Sequence, residues 1–298
     1  MACFRVNGVS CNHQLSAASS ILVQLRGMRH SVSLILFLGI LGHLLCSLSC
    51  LPPVNFALGK IGMSDGYAEA SSEPIRLTYF AGYGLAEQVR WMMAASEITF
   101  EQVALQSHEE FLQLRRDGKL LFGQLPLLEI DGLRLVQSQA MVRYVAQRGK
   151  LCGTTLAESA LVDMVAEGIK DARGLVVSFP FVGPGEQANL IADIPQRTAK
   201  QLQPLEALIQ SRENGTVGFL ATGLSAADVL LAELAEELLE MRSDALALYP
   251  KITKLHKQVT DLPQMQRYLK SPARYPFPKG NVGLVYVQNV DTVLNRRR

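Results

Sequence analysis

Tyr79 closes a short apolar strand, where its phenol could donate a hydrogen bond or a proton to a bound group. The chain then turns through Gly82–Glu87 into an amphipathic helix. Further along, Gln124–Pro126 opens a hairpin that ends in Gln137 and Ser138, where another helix begins. A phenol that donates to a sulfur atom favours the thiolate over the thiol. Because no cysteine lies between residues 79 and 90, we expect Tyr79 to activate a bound thiol rather than to support a redox thiol of the chain.

The segments that position these residues alternate between strand and helix from Pro74 to about residue 150. Four apolar residues after the first strand share one helical stripe: Leu85, Val89, Met92 and Met93. Asp131-Gly132 is the pair that a type I′ turn requires, so its flanking runs predict an antiparallel hairpin. Ser138 is expected to cap the helix that follows. Strands are predicted at 75–80, 100–104, 126–130 and 133–136, and helices after Gly84, at 108–117 and at 138–147.

Beyond Gly153 the pattern is helical throughout, with helices predicted near 157–176, 186–212, 225–241, 248–259 and 262–270. Ser225 and Asp228 have the spacing of a capping box at the start of a buried helix. The fold class is therefore α/β plus all-α, with a small α/β domain at 74–150 and a helical bundle at 151–298. Residues 1–73 form a separate leader, either unstructured or a targeting segment.

The composition is that of a globular protein: 298 residues, 48% hydrophobic and 19% charged, enough for one large or two medium domains. Lys and Arg number 29 against 27 Asp and Glu. Four of the basic residues lie in the acid-free segment 1–64, so the rest of the chain is slightly acidic and offers no face for nucleic acid. The Arg296–Arg298 run is expected to be a solvated tail. The five histidines show no ligand spacing, and we expect no metal site.

The leader carries four of the five cysteines and an apolar run from Val32 to Leu51. It fits a secretory signal, a membrane anchor or part of an organellar transit peptide. Alternatively, translation starts at Met63 or Met28 and the working protein lacks the leader. Membrane contact is expected only if the apolar segment is retained. The remainder, with Cys152 as its one cysteine, is compatible with a reducing, cytoplasmic compartment.

From about Ile75 to Pro278 the chain resembles the cytosolic glutathione transferases, specifically the tyrosine-type group of alpha, mu, pi and sigma classes. The motifs that carry the resemblance occur in order: Leu77-Thr78-Tyr79-Phe80, Gly84-Leu85-Ala86, Phe122-Gly123-Gln124-Leu125-Pro126, Glu129-Ile130-Asp131-Gly132, Leu135-Val136-Gln137-Ser138 and Ser225-Ala226-Ala227-Asp228. The resemblance implies a thioredoxin-like N-terminal domain, a helical C-terminal domain, and glutathione as a substrate rather than a bound cofactor.

Site residues follow from the same resemblance. Tyr79 would be the catalytic residue that donates to the glutathione sulfur. The other residues implied to bind glutathione are Arg115, Gln124, Leu125, Pro126, Gln137, Ser138 and Asp171, with Pro126 expected to be cis. Arg115 could instead be a solvated helix residue. Asp171 would reach the ligand of a partner subunit, or it could merely continue the polar stripe of Asp163 and Glu167.

Further expectations concern a second substrate and a partner chain. A small hydrophobic electrophile would bind against Tyr83, Gly84, Val177, Phe181 and Tyr286. Phe122 would insert into the partner subunit of a homodimer, or it could be ordinary core. Tyr83 and Leu85 replace arginines that are common in these classes, and Tyr83 is a rival for the catalytic phenol.

Three functions are compatible with these residues. The first is conjugation of glutathione to hydrophobic electrophiles, a detoxification reaction. The second is a glutathione-dependent isomerase of the prostaglandin type, and the third is a non-catalytic binder or structural protein on the same scaffold. Retention of Tyr79, Gln137 and Ser138 disfavours the third.

Overall fold

The computed structural model describes residues 74–212 and 214–296, so the predictions for the leader and for the last two arginines lie outside the described residues. The strands are β1 (Arg76–Phe80), β2 (Glu101–Leu105), β3 (Leu127–Ile130), β4 (Leu133–Val136), β5 (Gln210–Ser211) and β6 (Val217–Gly218). The α-helices are α1 (Glu87–Ala95), α2 (His108–Arg116), α3 (Ser138–Arg148), α4 (Leu156–Ser178), α5 (Pro184–Ala192), α6 (Ile194–Leu208), α7 (Ala226–Met241), α8 (Pro250–Thr260), α9 (Pro263–Leu269) and α10 (Gly280–Leu294). Short 3₁₀ turns span Gly84–Ala86 and Phe179–Phe181.

The first domain is built on a four-stranded sheet in the order β2-β1-β3-β4. β1 and β2 are parallel, while β1–β3 and β3–β4 are antiparallel. Asp131 and Gly132 both have positive φ, as a type I′ turn requires, which confirms the predicted hairpin. This mixed sheet with its crossover helix is the thioredoxin-like arrangement that the resemblance implied.

Helix α1 is buried on every side, because the sheet domain covers one face and the helical domain covers the other. Val89, Met92 and Met93 pack in the core as predicted, but Leu85 lies in the preceding 3₁₀ turn and is 37% exposed. The polar side chains of Glu87 and Arg90 are also fully buried. The prediction of an amphipathic helix was therefore wrong for the polar face, which meets protein instead of water.

The helical domain is organised around the buried helix α7. Ser225 accepts a hydrogen bond from the N–H of Asp228, whose carboxylate accepts one from the N–H of Ser225 at 2.8 Å. The predicted capping box is thus confirmed. Capping boxes with Glu in place of Asp also cap α2, through Ser107 and Glu110, and α4, through Thr155 and Glu158.

Two predicted elements need correction, and one helix was missed. The single helix expected at 186–212 is two helices that meet at Asp193, because Pro195 in the first turn of α6 has no N–H to continue the ladder. Its last residues instead form β5, which pairs with β6. The second strand begins at Glu101, one residue later than expected. Helix α10 was not predicted; the abundance of valine hid its helical period.

The cap of α3 also differs from the prediction. Gln137, not Ser138, occupies the N-cap position, and no side chain caps this helix. Ser138 is the first helical residue, so the amide groups of the first turn stay free of side-chain caps.

Among the described residues no helix is both long and apolar enough to cross a membrane.

Candidate active site

The sheet register brings three predicted site segments to one edge. Thr78 pairs with Leu127, and Leu127 pairs with Val136. One step beyond this row lie Tyr79 at the end of β1, Pro126 before β3 and Gln137 after β4. The Leu125–Pro126 peptide bond is cis, as predicted. Segments that are far apart in sequence therefore meet at a single edge of the sheet.

The hydroxyl of Tyr79 is held by two contacts. Its oxygen accepts a hydrogen bond from the backbone N–H of Leu85 at 3.0 Å. It also lies 3.4 Å from the hydroxyl of Tyr286 on α10. Although Tyr79 is only 4% exposed, these contacts fix the position of its oxygen beside Gly84. The hydrogen bond from the Leu85 N–H stabilises negative charge on the phenol oxygen. This makes the O–H of Tyr79 a stronger hydrogen-bond donor.

Two buried arginines hold the loop that delivers the Leu85 N–H. Arg90 donates to the carbonyls of Gly82 at 3.0 Å and Tyr83 at 3.1 Å. Arg173 of α4 donates to the next carbonyl, that of Gly84, at 3.1 Å. Three consecutive carbonyls are therefore fixed by guanidinium groups. The loop conformation, and with it the position of the Leu85 amide, depends on charges from both domains.

These arginines belong to a buried ionic cluster. Arg173 pairs with Glu233 at 2.8 Å and with Glu237 at 2.7 Å, both on α7. Arg90 pairs with Glu87 at 3.0 Å, and Glu87 also accepts from the indole of Trp91 at 3.1 Å. A further donor to Glu87 is the hydroxyl of Tyr268, at 2.7 Å.

The cluster perturbs the titration of its members. Burial raises the pKa of Glu237 well above its ordinary value, Arg173 opposes this rise, and the Glu233 carboxylate adds to it. Burial would lower the pKa of Arg173, but Glu233 and Glu237 more than reverse this and raise it. Burial, followed by Glu237, raises the pKa of Tyr83 well above its ordinary value. Tyr83 thus stays a neutral phenol that is a poorer acid than usual.

Several residues predicted to bind glutathione form a rim around this edge, with Gln124 and Gln137 exposed, Leu125 and Ser138 partly exposed and Pro126 buried. Gln137 has φ 73° and ψ 105°, an uncommon conformation for a residue other than glycine. Its side-chain amide donates to the side-chain oxygen of Gln124 at 3.4 Å. Ser138 starts α3, whose first N–H groups favour an anion. Leu125, which precedes the cis bond, is partly buried against the core.

Arg115 lies near this rim, and Asp171 lies on α4. The guanidinium of Arg115 lies over the ring of Phe111, 5.9 Å from its centroid, and close to Gly123 of the loop before Gln124. Asp171 is exposed on α4, whereas Asp163 and Glu167 of the same stripe both pair with Arg143. The Asp163 and Glu167 side chains are nevertheless 54% and 44% exposed, so the alternative that all three residues form one polar stripe remains open.

A small pocket lies between Tyr83-Gly84, α4, α7 and α10, and its lining residues Gly84 and Tyr286 also adjoin the Tyr79 hydroxyl. Four of the five residues predicted to contact an electrophile line it: Tyr83, Gly84, Val177 and Tyr286. Phe181 does not line the pocket but packs on the ring of Tyr286, with ring centroids 5.8 Å apart. Arg173 and Glu237 were not predicted and add a polar patch to an otherwise apolar wall.

Several residues that shape the site escaped the sequence analysis. Arg173, Glu233 and Glu237 stand in helices whose polar residues are usually solvent-facing. A signal was present in α7, where Glu233 and Glu237 stand four residues apart in a helix that is mostly apolar. Asn289 was also missed; it fastens α10 to the ends of β1 and β2. Within residues 74–212 and 214–296, no group of three or more His, Cys, Asp or Glu side chains could hold a metal ion.

Comparisons with known proteins agree with this arrangement. The model of the glutathione S-transferase N-terminal domain matches residues 75–147, and that of the C-terminal domain matches residues 171–272. Rat glutathione S-transferase alpha-3 is 35% identical over 195 residues, which cover 65% of this chain and 87% of that protein. Human glutathione S-transferase A3 is 35% identical over 204 residues, 67% of this chain and 91% of that protein.

A solved structure is similar over the same region. Na-GST-3, a monomeric glutathione S-transferase from the hookworm Necator americanus, has 27% sequence identity and a TM-score of 0.59, covering 69% of this chain and 100% of that one. With both domain matches in the expected order and relatives covered over most of their length, this chain belongs to the glutathione S-transferase family.

Proposed function

We propose that this glutathione transferase is of the tyrosine type, with Tyr79 as the donor that stabilises the glutathione thiolate. The observation that carries the proposal is the Tyr79 hydroxyl, which accepts the Leu85 N–H at 3.0 Å and lies 3.4 Å from the hydroxyl of Tyr286, a residue of the pocket wall. With its oxygen already accepting, the phenol directs its own proton to a ligand atom. A sulfur beside it receives that hydrogen bond and ionises more readily.

The size of the effect decides whether such a bond is sufficient. A free thiol has a pKa of about 8.5, so only about 3% is thiolate at neutral pH. Lowering this pKa by about two units corresponds to roughly 2.7 kcal/mol and makes about three quarters of the thiol reactive. The thiolate then attacks an electrophilic carbon of the second substrate, as in conjugation by the transferases named above.

Glutathione itself would be oriented by the rim of the first domain. Gln137 and the first N–H groups of α3, beginning at Ser138, suit the γ-glutamyl carboxylate. The backbone N–H and C=O of Leu125 suit the cysteinyl part, which would pair with them in an extended conformation, like an added strand. Arg115, beside Gln124, forms no ion pair with any described residue and suits the glycyl carboxylate.

The second substrate would be a small hydrophobic electrophile in the adjoining pocket. Val177 and the rings of Tyr83 and Tyr286 supply an apolar wall next to the sulfur position. Phe181 would contribute indirectly, by packing on the ring of Tyr286 and supporting its position. Tyr83 is not favoured as the catalytic phenol, because it lies in the loop after β1 with its ring packed on Phe277, and not beside Pro126 and Gln137 as Tyr79 does.

A homodimer would complete the site. Leu121 and Phe122 are 60% and 61% exposed in a single chain, an unusual state for adjacent large apolar residues. Phe122 would insert into the partner subunit, and the exposed Asp171 would reach the amine of the partner's glutathione. Sedimentation of the Phe122→Ala variant tests this proposal: we expect a monomer, and an unchanged dimer would contradict the role of Phe122.

The conjugation rate tests the proposal for Tyr79. A protein that starts at Met63 is assayed with glutathione and chlorodinitrobenzene at neutral pH, beside its Tyr79→Phe and Tyr83→Phe variants. Following the two-unit pKa effect, Tyr79→Phe should lower the rate by roughly 10- to 100-fold. Tyr83→Phe should mainly change KM for the electrophile. Equal rates for wild type and Tyr79→Phe would remove Tyr79 from the mechanism.

A further inference from the structure

The hydroxyl of a second tyrosine, Tyr286, lies close to the hydroxyl of Tyr79. Tyr286 reaches the site from α10, and its hydroxyl lies 3.4 Å from that of Tyr79. No other hydrogen-bond partner of the Tyr286 hydroxyl exists among the described residues. A buried hydroxyl without a partner costs stability, so the one contact that it has is significant. Tyr286 is 4% exposed, and the pocket wall beside it is mostly apolar.

The position of Tyr286 is closely fixed. A side-chain carbon on Gly82 would overlap its ring, and one on Gly84 would overlap its hydroxyl. One helical turn later, Asn289 accepts from the N–H of Ala81 at 2.8 Å and donates to the carbonyl of Leu105 at 3.0 Å. Since these are the ends of β1 and β2, α10 is fastened to the same strand that carries Tyr79.

We propose that Tyr286 is a positioning residue of the transferase reaction, whose hydroxyl donates a hydrogen bond to the oxygen of Tyr79 and so strengthens Tyr79 as a donor to the thiolate. This inference rests on the proposed function of Tyr79. When Tyr79 turns its proton to the sulfur, its oxygen can accept from both the Leu85 N–H and the Tyr286 O–H. Donors in a chain polarise one another, so each bond strengthens the next.

Tyr286 keeps its proton, as a hydrogen-bond donor must, although its hydroxyl lies at some distance from that of Tyr79. Burial, with the neighbouring Tyr79 as a further cause, raises its pKa well above the ordinary value, so its hydroxyl keeps its proton wherever the thiolate is formed. The present 3.4 Å separation is long for two hydroxyls. Hydrogen bonds in active sites are often long before the substrate binds and shorten in the complex.

A double-mutant cycle tests the relay. The pKa of glutathione bound to wild type, Tyr286→Phe, Tyr79→Phe and the double variant is measured from the ultraviolet absorbance of the thiolate. Tyr286→Phe removes one oxygen and keeps the packed ring. In the wild-type background it should lower the thiolate-to-thiol ratio about threefold, a rise of about half a pKa unit. In the Tyr79→Phe background it should have no effect, because the hydroxyl acts through Tyr79.

Tyr249→Phe is the matched control, because Tyr249 is also buried but stands at the start of α8, outside the pocket. It should leave the thiol pKa unchanged. An unchanged thiol pKa in Tyr286→Phe would overturn the proposal. An equal rise in both backgrounds would also overturn it, since the hydroxyl would then act on the sulfur directly. If Tyr79→Phe itself leaves the thiol pKa unchanged, the proposed function of Tyr79 fails as well. The Tyr79→Phe variant therefore distinguishes a failure of the proposed function from a failure of the Tyr286 proposal alone.

Discussion

Replacement of Gly84 by alanine should disable the site without unfolding the protein. Gly84 has φ +50°, and a side-chain carbon there would lie 2.5 Å from the Tyr79 oxygen and 2.8 Å from the Cε1 of the same ring. It would be even closer to the Tyr286 hydroxyl. Because atoms in contact normally stay 3.4 to 4 Å apart, the two phenols must retreat by about 1 Å.

The energetic cost has two parts that a second variant separates. The positive φ alone costs an alanine about 1 kcal/mol. Gly132 has φ +75° with no atom within 4 Å of an added carbon, so Gly132→Ala carries only this backbone cost. Urea unfolding should therefore show a loss of about 1 kcal/mol for Gly132→Ala and a larger loss for Gly84→Ala.

Activity should distinguish the two variants more sharply than stability. A shift of about 1 Å would break the 3.0 Å bond between Leu85 and Tyr79, and a misplacement of that size can cost about 100-fold in rate. We expect a roughly 10- to 100-fold slower conjugation for Gly84→Ala and a wild-type rate for Gly132→Ala. If Gly84→Ala kept the wild-type rate, the close packing of Gly84 on the phenols could not be what positions Tyr79.

Three further predictions concern stability. Arg173→Met should lower the free energy of unfolding, measured in urea, by about 3 to 5 kcal/mol, because it leaves the buried Glu233 and Glu237 unpaired. A triple variant that also replaces Glu233 and Glu237 by Gln should recover much of this loss. A loss below about 1 kcal/mol for Arg173→Met would contradict the stabilising role of these ion pairs. Ser225→Ala should cost about 1 to 2 kcal/mol, since it removes the cap of the buried helix α7, and a neutral result would show that the cap is dispensable. The N–H groups of Gln106 and Ser107 hold the pKa of Glu110 below its ordinary 4.5, so its stabilisation is present above that value and is lost as the pH falls through the lower folded pKa. Glu110→Gln should therefore be less stable than wild type at neutral pH, and this difference should shrink as the pH falls below that ordinary value; a difference that stays constant on acidification would contradict this assignment.

The sequence was informative where function depends on local order. The Asp131-Gly132 turn fixes the register of the hairpin, and the strand lengths can be counted, so the register places Pro126 and Gln137 together at the end of the hairpin opposite the turn; pairing of β1 with β3 brings Tyr79 to the same end. The Ser225–Asp228 cap is likewise a local signal, and the structure confirms it. The remaining two capping boxes carry the same signal and could have been predicted.

Features that depend on docking between domains could not be predicted. Glu87 and Arg90 have the spacing of a solvent-facing stripe, and only the helical domain turns their environment into a buried one. Arg173 meets Glu237 across a sequence distance that no local period encodes. Tyr286 reaches Tyr79 only because α10 folds back over β1.

The measurement that tests the central claim most directly is the pKa of the thiol of bound glutathione, read from thiolate absorbance in wild type and in Tyr79→Phe. Donation from the Tyr79 hydroxyl predicts a pKa about two units below that of free glutathione in wild type, and a return close to the free value in the variant. A bound thiol whose pKa is equally low in both proteins would contradict the assignment of Tyr79 as the activating residue.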